Sequence, residues 1–236
     1  MEIPTKFTVF SGSLLKLLAV ITMLIDHGTL ILAREVEWMG LAFSLGGKSV
    51  TVYYILRRIG RLAFPLFCFL LVEGFLHTRN RKRYAAGLLI FALLSEIPWN
   101  YMVGGRYIYP AKQNVYFTLF LGVLLLCILA WETADWKKWL CLFGLYALTR
   151  ILSADYGMNG VLLIGLLYVL RAQKTARMLL ALPLLSGGWA AFCAFIPINM
   201  YNGQRGFIKG RGLKYAFYLF YPLHITVLLL IKYALR

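Results

Sequence analysis

The chain reads as an all-α polytopic integral membrane protein, a helical bundle of about eight transmembrane helices, two of them short. Three observations predict this. Hydrophobic residues make up 61% of the 236 and charged residues only 14%, against roughly 45–50% and about 25% in a soluble domain. Apolar runs near the length a bilayer demands, about 20 residues, follow one another with short loops between. The basic residues, which bring the net charge to +16, fall in those loops, as membrane orientation requires. No stretch is polar and long enough for a separate soluble domain, so residues 1–236 are expected to form one domain.

The spans in order are 14–33, 54–76, 84–103, 115–131, 139–152, 158–170, 178–198 and 215–234. The first could pass for a signal peptide, but Asp26 and His27 interrupt its apolar stretch and no small-residue cleavage signal follows, so it is expected to be retained. The second carries Arg57, Arg58 and Arg61, the third Glu96, and Asn114 opens the fourth. The fifth and sixth are short, separated by Ser153-Ala154-Asp155-Tyr156-Gly157. They are either half-length helices joined by a dipping loop or helices whose ends lie elsewhere. The last contains Pro222, expected to kink it, and His224.

Orientation follows from the loops. The clusters 77–83 (HTRNRKR) and 171–177 (RAQKTAR), with Lys137 and Lys138, fall on the N-terminal side when eight spans are counted. Both termini are then expected in the cytoplasm. Against this, residues 199–214 carry Arg205, Lys209, Arg211 and Lys214 yet land outside; seven or nine spans would relocate them. Gly203–Gly212 is expected to be a mobile loop and does not match the phosphate-loop spacing. Gly46-Gly47 and Gly104-Gly105 mark turns, and Trp38, Tyr53, Trp99, Trp131, Trp136, Trp189 and Tyr215 fit interface anchoring.

Several function classes fall away. No basic arm, zinc spacing or recognition helix supports nucleic-acid binding. Cys68, Cys127, Cys141 and Cys193 lie in apolar runs without a CxxC pair, so buried inert thiols are expected and no disulfide framework. Cys68 as a thioester carrier is a minor alternative. The three histidines form no metal-binding pattern, so no metal is expected, and no G-x-S-x-G elbow is present.

The informative residues are the ionisable ones inside spans. Inserting Asp26 alone costs about 3 kcal/mol on insertion scales, so such a residue is a functional candidate by default. Counted along their helices, Asp26, His27, Arg61 and Glu96 lie about 10 Å below one surface, with His224 deeper. A shared polar cavity is expected there. Arg57 and Arg61 are four apart on one face and need anions: Asp26, Glu96 or a phosphate-bearing ligand. Asp26 is expected to pair with an arginine, leaving the neighbouring His27 free to face the cavity. The bland alternative is a charge network that only locks helices together. Arg150 and Asp155 flank the loop between the short spans and are weighed as a loop clamp; His77 and Glu73 sit at the opposite boundary.

The run 17–27 (LLAVITMLIDH) followed by 58–67 (RIGRLAFPLF) resembles the TraX family of membrane proteins. So do Ser95-Glu96-Ile97-Pro98, Gln113-Asn114-Val115 with Phe117-Thr118-Leu119, Ala154-Asp155-Tyr156-Gly157, Tyr201-Asn202-Gly203 and Phe220-Tyr221-Pro222-Leu223-His224. The resemblance runs from Leu17 to His224. It implies a transmembrane acyltransferase of the F-pilin N-acetylase type in a bacterial cytoplasmic membrane. Such an enzyme takes acetyl from cytoplasmic acetyl-CoA and delivers it to an extracytoplasmic peptide, glycan or lipid. Under that implication His27 is general base or transient acetyl carrier, with Asp26 and Arg61 organising the site. Arg57, Glu96, Asn114, Arg150, Asp155, Tyr221 and His224 make the acceptor-binding set, some of them as oxyanion donors. Arg79, Arg81, Lys82, Arg83, Arg171 and Arg177 would attract the CoA phosphates, or serve only as topology determinants. The competing classes are a transporter or flippase for an anionic lipid or metabolite, and a membrane scaffold.

Overall fold

The computed structural model describes residues 8–46 and 48–236. Helix α1 (Gly12–Leu32) starts where the Ser11 side chain accepts from Leu14 N. A 3-10 turn (Glu37–Gly40) and an antiparallel hairpin, β1 (Ala42–Leu45) with β2 (Lys48–Thr51), precede α2 (Val52–Gly60), which Thr51 caps. Then come α3 (Ala63–Leu76), α4 (Arg81–Gly104), α5 (Val115–Leu129), α6 (Asp135–Leu152), α7 (Gly157–Val169) and α8 (Lys174–Ala181). A 3-10 turn (Leu182–Leu184), α9 (Trp189–Phe192), α10 (Phe195–Asn199) and the long α11 (Arg211–Ala234) complete the order. Four stretches among the described residues are long and apolar enough to cross a membrane: Gly12–Leu32, Val52–Leu76, Arg81–Gly104 and Gly212–Ala234. Val115–Leu129, Gly157–Val169 and Trp189–Asn199 are shorter apolar segments. The protein is an all-α membrane protein.

Several expected boundaries are corrected. The span 54–76 is broken at Arg61-Leu62, where Arg61 N and Leu62 N bond back to Arg58 and Ile59 carbonyls in tight turns. The span 139–152 begins earlier, at Asp135, giving 18 residues, whereas α7 is short at 13. The span 178–198 is not one helix. Pro183 lies in a 3-10 turn and Gly188 has φ of 57°, which a helix interior does not accommodate. Trp99 is 4% exposed and therefore a packing residue, not an interface anchor. The hairpin was not foreseen; Gly46 turns at φ 56°, and Gly47 lies outside the described residues.

The described chain divides into two compact units. One, the central unit, is Cys68–Ser186; the other, the terminal unit, comprises residues up to Phe67 together with Gly187–Arg236. In the central unit α5 is apolar all round and packs on α4, α6 and α7. Gly122 lies directly against Ile164, and a Cβ on Gly165 would stand 2.8 Å from Leu125 Cδ2, so α5 and α7 approach closely through two glycines.

In the terminal unit α1 packs on α2 and α11. The α1 face that carries Leu15, Ala19, Met23, His27 and Ile31 is buried, a strict four-residue spacing. Contacts between α1 and α11 advance in the same direction along both helices. Lys16 Nζ lies 5.0 Å over the Phe217 ring, His27 meets His224, and Arg236 Nε bonds Glu35 Oε1 at 2.9 Å. The two helices are parallel. Their N-terminal ends therefore lie together, and so do their C-terminal ends. The basic loop 199–214 joins the N-terminal end of α1. The loop is not the mobile segment expected: Gly12 N and Ser13 N donate to Gln204 O at 2.8 Å and Arg205 O at 2.9 Å.

Candidate active site

His27 and His224 form the centre of the terminal unit's polar site. His27 continues the buried stripe of α1, and His224 lies beside Tyr221, Ile225 and Leu228, the buried face of α11. His27 Nδ1 and His224 Nε2 are 2.7 Å apart, and His224 Nδ1 is 2.7 Å from the Phe220 carbonyl oxygen one turn earlier. A carbonyl only accepts, so His224 Nδ1 carries a proton. In neutral His224 the Nε2 is then an acceptor, and it takes its hydrogen from His27 Nδ1–H. The second nitrogen of His27, Nε2, is left with a lone pair, and no described residue hydrogen-bonds to it. The relay from carbonyl to His224 to His27 sets the tautomer of the last imidazole, the task a carboxylate performs in a serine-protease triad. This corrects the expectation that His27 stands free: one nitrogen is held and the other is available.

Aromatic rings wall this pair. The Tyr221 ring meets both imidazoles edge-on, at 5.8 Å from His27 and 5.7 Å from His224. Phe220 stacks on His224 at 4.7 Å. The exposures of 9% for His27, 6% for His224 and 3% for Tyr221 leave the pair nearly dry.

Asp26 turns about 100° away from His27 around α1 and faces α2. Its Oδ1 forms an ion pair with Arg57 Nη1 at 2.6 Å, and the same nitrogen donates to the Asp26 carbonyl at 3.3 Å. The expected Asp26–arginine pair therefore forms, and its arginine is Arg57. The close approach is permitted by Gly60, against which the Asp26 side chain lies directly. Arg61, at the break after α2, packs on Gly187, and its guanidinium makes no hydrogen bond among the described residues. Both Arg57 and Arg61 are within electrostatic reach of His27. Arg58 points elsewhere, over the Tyr54 ring and onto the Gly187 carbonyl.

The remaining expected acceptor residues belong to the central unit. Glu96 accepts a short hydrogen bond from Asn114 Nδ2 and a second from Asn114 N, so its partner is an amide and not an arginine. Asn114 also donates to Ala92 O at 2.8 Å and accepts from Tyr116 N at 3.0 Å, capping α5. Asp155 pairs with Lys112 at 2.7 Å, while Arg150 is exposed, so the loop clamp exists but with a lysine. Trp99 Nε1 donates to Lys112 O and Gln113 bridges to Ala154, fastening the segment before α5.

The basic clusters are also in the central unit. Arg79, Lys82 and Arg83 are exposed, and Arg81 lies over the Phe75 ring at 4.6 Å. Arg171 bonds to Tyr168 O, and Arg177, 4% exposed, bonds to Arg171 O. Burial lowers the Arg177 pKa from its ordinary value, with the Glu73 charge opposing. His77 is exposed and bonded to the Glu73 carbonyl. Of the thiols Cys68 is buried but Cys193 is exposed, which corrects the expectation of four buried cysteines.

The sequence reasoning assigned His224 to the acceptor without seeing that it holds His27. It also passed over Lys16, which one turn of helix joins to the end of α1 where the basic loop docks.

No solved structure matches the chain. A relative from Dichelobacter nodosus, named "Probable fimbrial assembly protein FimC, serogroup H1", is 32% identical over 247 aligned residues, covering 93% of this chain and 94% of that protein. The family profile described as TraX protein matches residues 11–232. With a helical membrane fold and a match that takes in both histidine-bearing helices, the chain belongs to the TraX family.

Proposed function

We propose that this protein is a membrane-embedded acetyltransferase that moves an acetyl group from cytoplasmic acetyl-CoA to an extracytoplasmic acceptor. The observation that supports it most is the His27–His224 pair, which leaves His27 Nε2 as a positioned base. Acetyl transfer to an amine or hydroxyl needs that base and a donor for the tetrahedral oxyanion. In the proposed step the acceptor's nucleophilic atom attacks the thioester carbonyl while His27 Nε2 takes its proton. The intermediate collapses with C–S cleavage, and the proton passes from His27 to the leaving thiolate. The positive charge that builds on His27 spreads along the hydrogen bond to His224. Arg61 is the oxyanion donor of choice, because Arg57 is already committed to Asp26. Direct attack of His27 Nε2 on the thioester, followed by transfer from acetyl-imidazole, uses the same atoms.

A pilin-type amino terminus is the acceptor favoured by the relative's name, fimbrial assembly protein. The experiment supplies acetyl-CoA to the protein in nanodiscs with pilin-like peptides carrying a free or a blocked amino terminus, and reads acetylation by mass spectrometry. Acetylation of the free terminus alone supports this acceptor. Turnover of neither peptide, together with transmembrane flux of an anionic solute, would move the assignment to a transporter.

A further inference from the structure

We propose that Lys16, Arg205 and Lys214 form a binding site for the phosphates of a nucleotide-bearing ligand, the coenzyme A end of the acyl donor. The proposal rests on the acetyltransferase reading and places the donor's nucleotide on the terminal unit.

The loop that presents Arg205 is a built structure. Phe10 N donates to Met200 O at 3.1 Å and Asn202 N to Phe10 O at 3.0 Å, so strand-like pairing seats its start. Ser13 Oγ donates to Arg205 O at 2.8 Å and accepts from Ile208 N at 2.7 Å. Gly206, with φ of 81°, lies against this serine: a Cβ there would stand 2.7 Å from Ser13 Oγ. The Arg205 backbone is thereby fixed on Ser13, one turn before Lys16 on the same face of α1. Lys214 lies one turn before Phe217, the ring over which the Lys16 ammonium sits at 5.0 Å. Lys214 itself lies 5.7 Å over Tyr218.

Three cations from a helix start, a loop and a second helix start thus converge. Arg205 and Lys214 are the charges that bear on Lys16. Among the described residues no carboxylate pairs with Lys16 or Arg205. Membrane orientation by itself needs cations only in watered positions, such as the exposed Arg205 in the loop and Lys214 at the start of α11. It does not need Lys16, half-buried inside α1 beside two like charges. A cluster of like charges in this setting attracts a polyanion. Its position also fits: Lys16 and His27 are eleven residues apart on one helix, about 16 Å at 1.5 Å per residue. An extended pantetheine arm laid along α1 covers that distance, with the phosphates at the loop end and the thioester beside the imidazole.

The test measures coenzyme A binding by calorimetry in nanodiscs of zwitterionic lipid, for wild type and for Lys16→Gln, Arg205→Gln, Lys214→Gln and the triple variant. Each single change is expected to raise Kd about 5- to 10-fold and the triple about 100-fold or more, as losing charge-assisted contacts does. Lys16→Arg restores binding, ADP competes with coenzyme A, and affinity for acetyl-pantetheine, which lacks the nucleotide, moves less than about twofold. Wild-type binding that none of the substitutions weakens would overturn the site while leaving the acetyltransferase reading intact. No coenzyme A binding by wild type would overturn both. Substitutions that weaken retention of an anionic lipid but not coenzyme A binding would assign the cluster to a headgroup and overturn the nucleotide site.

Discussion

His27 Nδ1 and His224 Nε2 share a hydrogen at 2.7 Å, while the other nitrogen of His224 is committed to a backbone carbonyl. The consequence is asymmetric. In the proposed reaction His27 is the group that meets substrate, and His224 acts through it. His224→Ala is expected to lower kcat by about 10- to 100-fold, the usual cost of removing an orienting partner, with KM for acceptor little changed. A steady-state comparison checks this, and a parallel rise in KM would point instead to acceptor contact.

Asp26→Ala leaves Arg57 without its carboxylate in a setting where Asp26 is 16% and Arg57 18% exposed. The pair is partly screened, so the loss is expected below the 3–5 kcal/mol of a fully buried pair, at about 1–3 kcal/mol. Unfolding midpoints in detergent measure it. Asp26→Ala combined with Arg57→Ala should recover part of the loss, since no charge is then stranded.

Gly60→Ala would drive a methyl into the Asp26 side chain, whose Cγ stands 2.7 Å from the position of such a Cβ. Asp26 and the α1–α2 contact must shift, at a cost of about 1–3 kcal/mol typical of overpacking. Gly144→Ala, where a Cβ meets nothing within 4 Å, is the matched control and should leave stability unchanged or raise it slightly.

Because α1 and α11 are parallel, a label at Lys209 and a label at Arg236 should be reached from opposite faces of the membrane. Cysteines introduced at these positions in a variant lacking the four native thiols test it with an impermeant reagent. The basic loop is expected on the cytoplasmic side. Labelling of both positions from the same side would contradict the helix arrangement.

Much of this was legible in the sequence. Apolar length and loop charge fixed the class, and the intramembrane cost of Asp26 and His27 singled out the helix that carries the His27–His224 and Asp26–Arg57 pairs. The Asp26–arginine pair followed from charge balance. What periodicity could not supply was the direction of α11 relative to α1, because loop counting assumes that every apolar run crosses. The run 178–198 shows why: its hydropathy is that of a span, yet Pro183 and Gly188 divide it. Side assignments made by counting depend on each such run. The histidine pair escaped for a related reason: residues 197 positions apart meet only through tertiary packing. Glu96 and Asp155 show the opposite error, since buried charge in a chain also arises where an amide or lysine fastens a loop.

The central claim is that His27 Nε2 performs the proton transfer or carries the acetyl group. Release of free coenzyme A from radiolabelled acetyl-CoA, with acceptor present, tests it most directly when wild type is compared with a folded His27→Ala variant in nanodiscs. The account predicts a loss of about 10²- to 10⁴-fold, the range for removal of a general base, with the variant still folded. Turnover by His27→Ala within about twofold of wild type would contradict it.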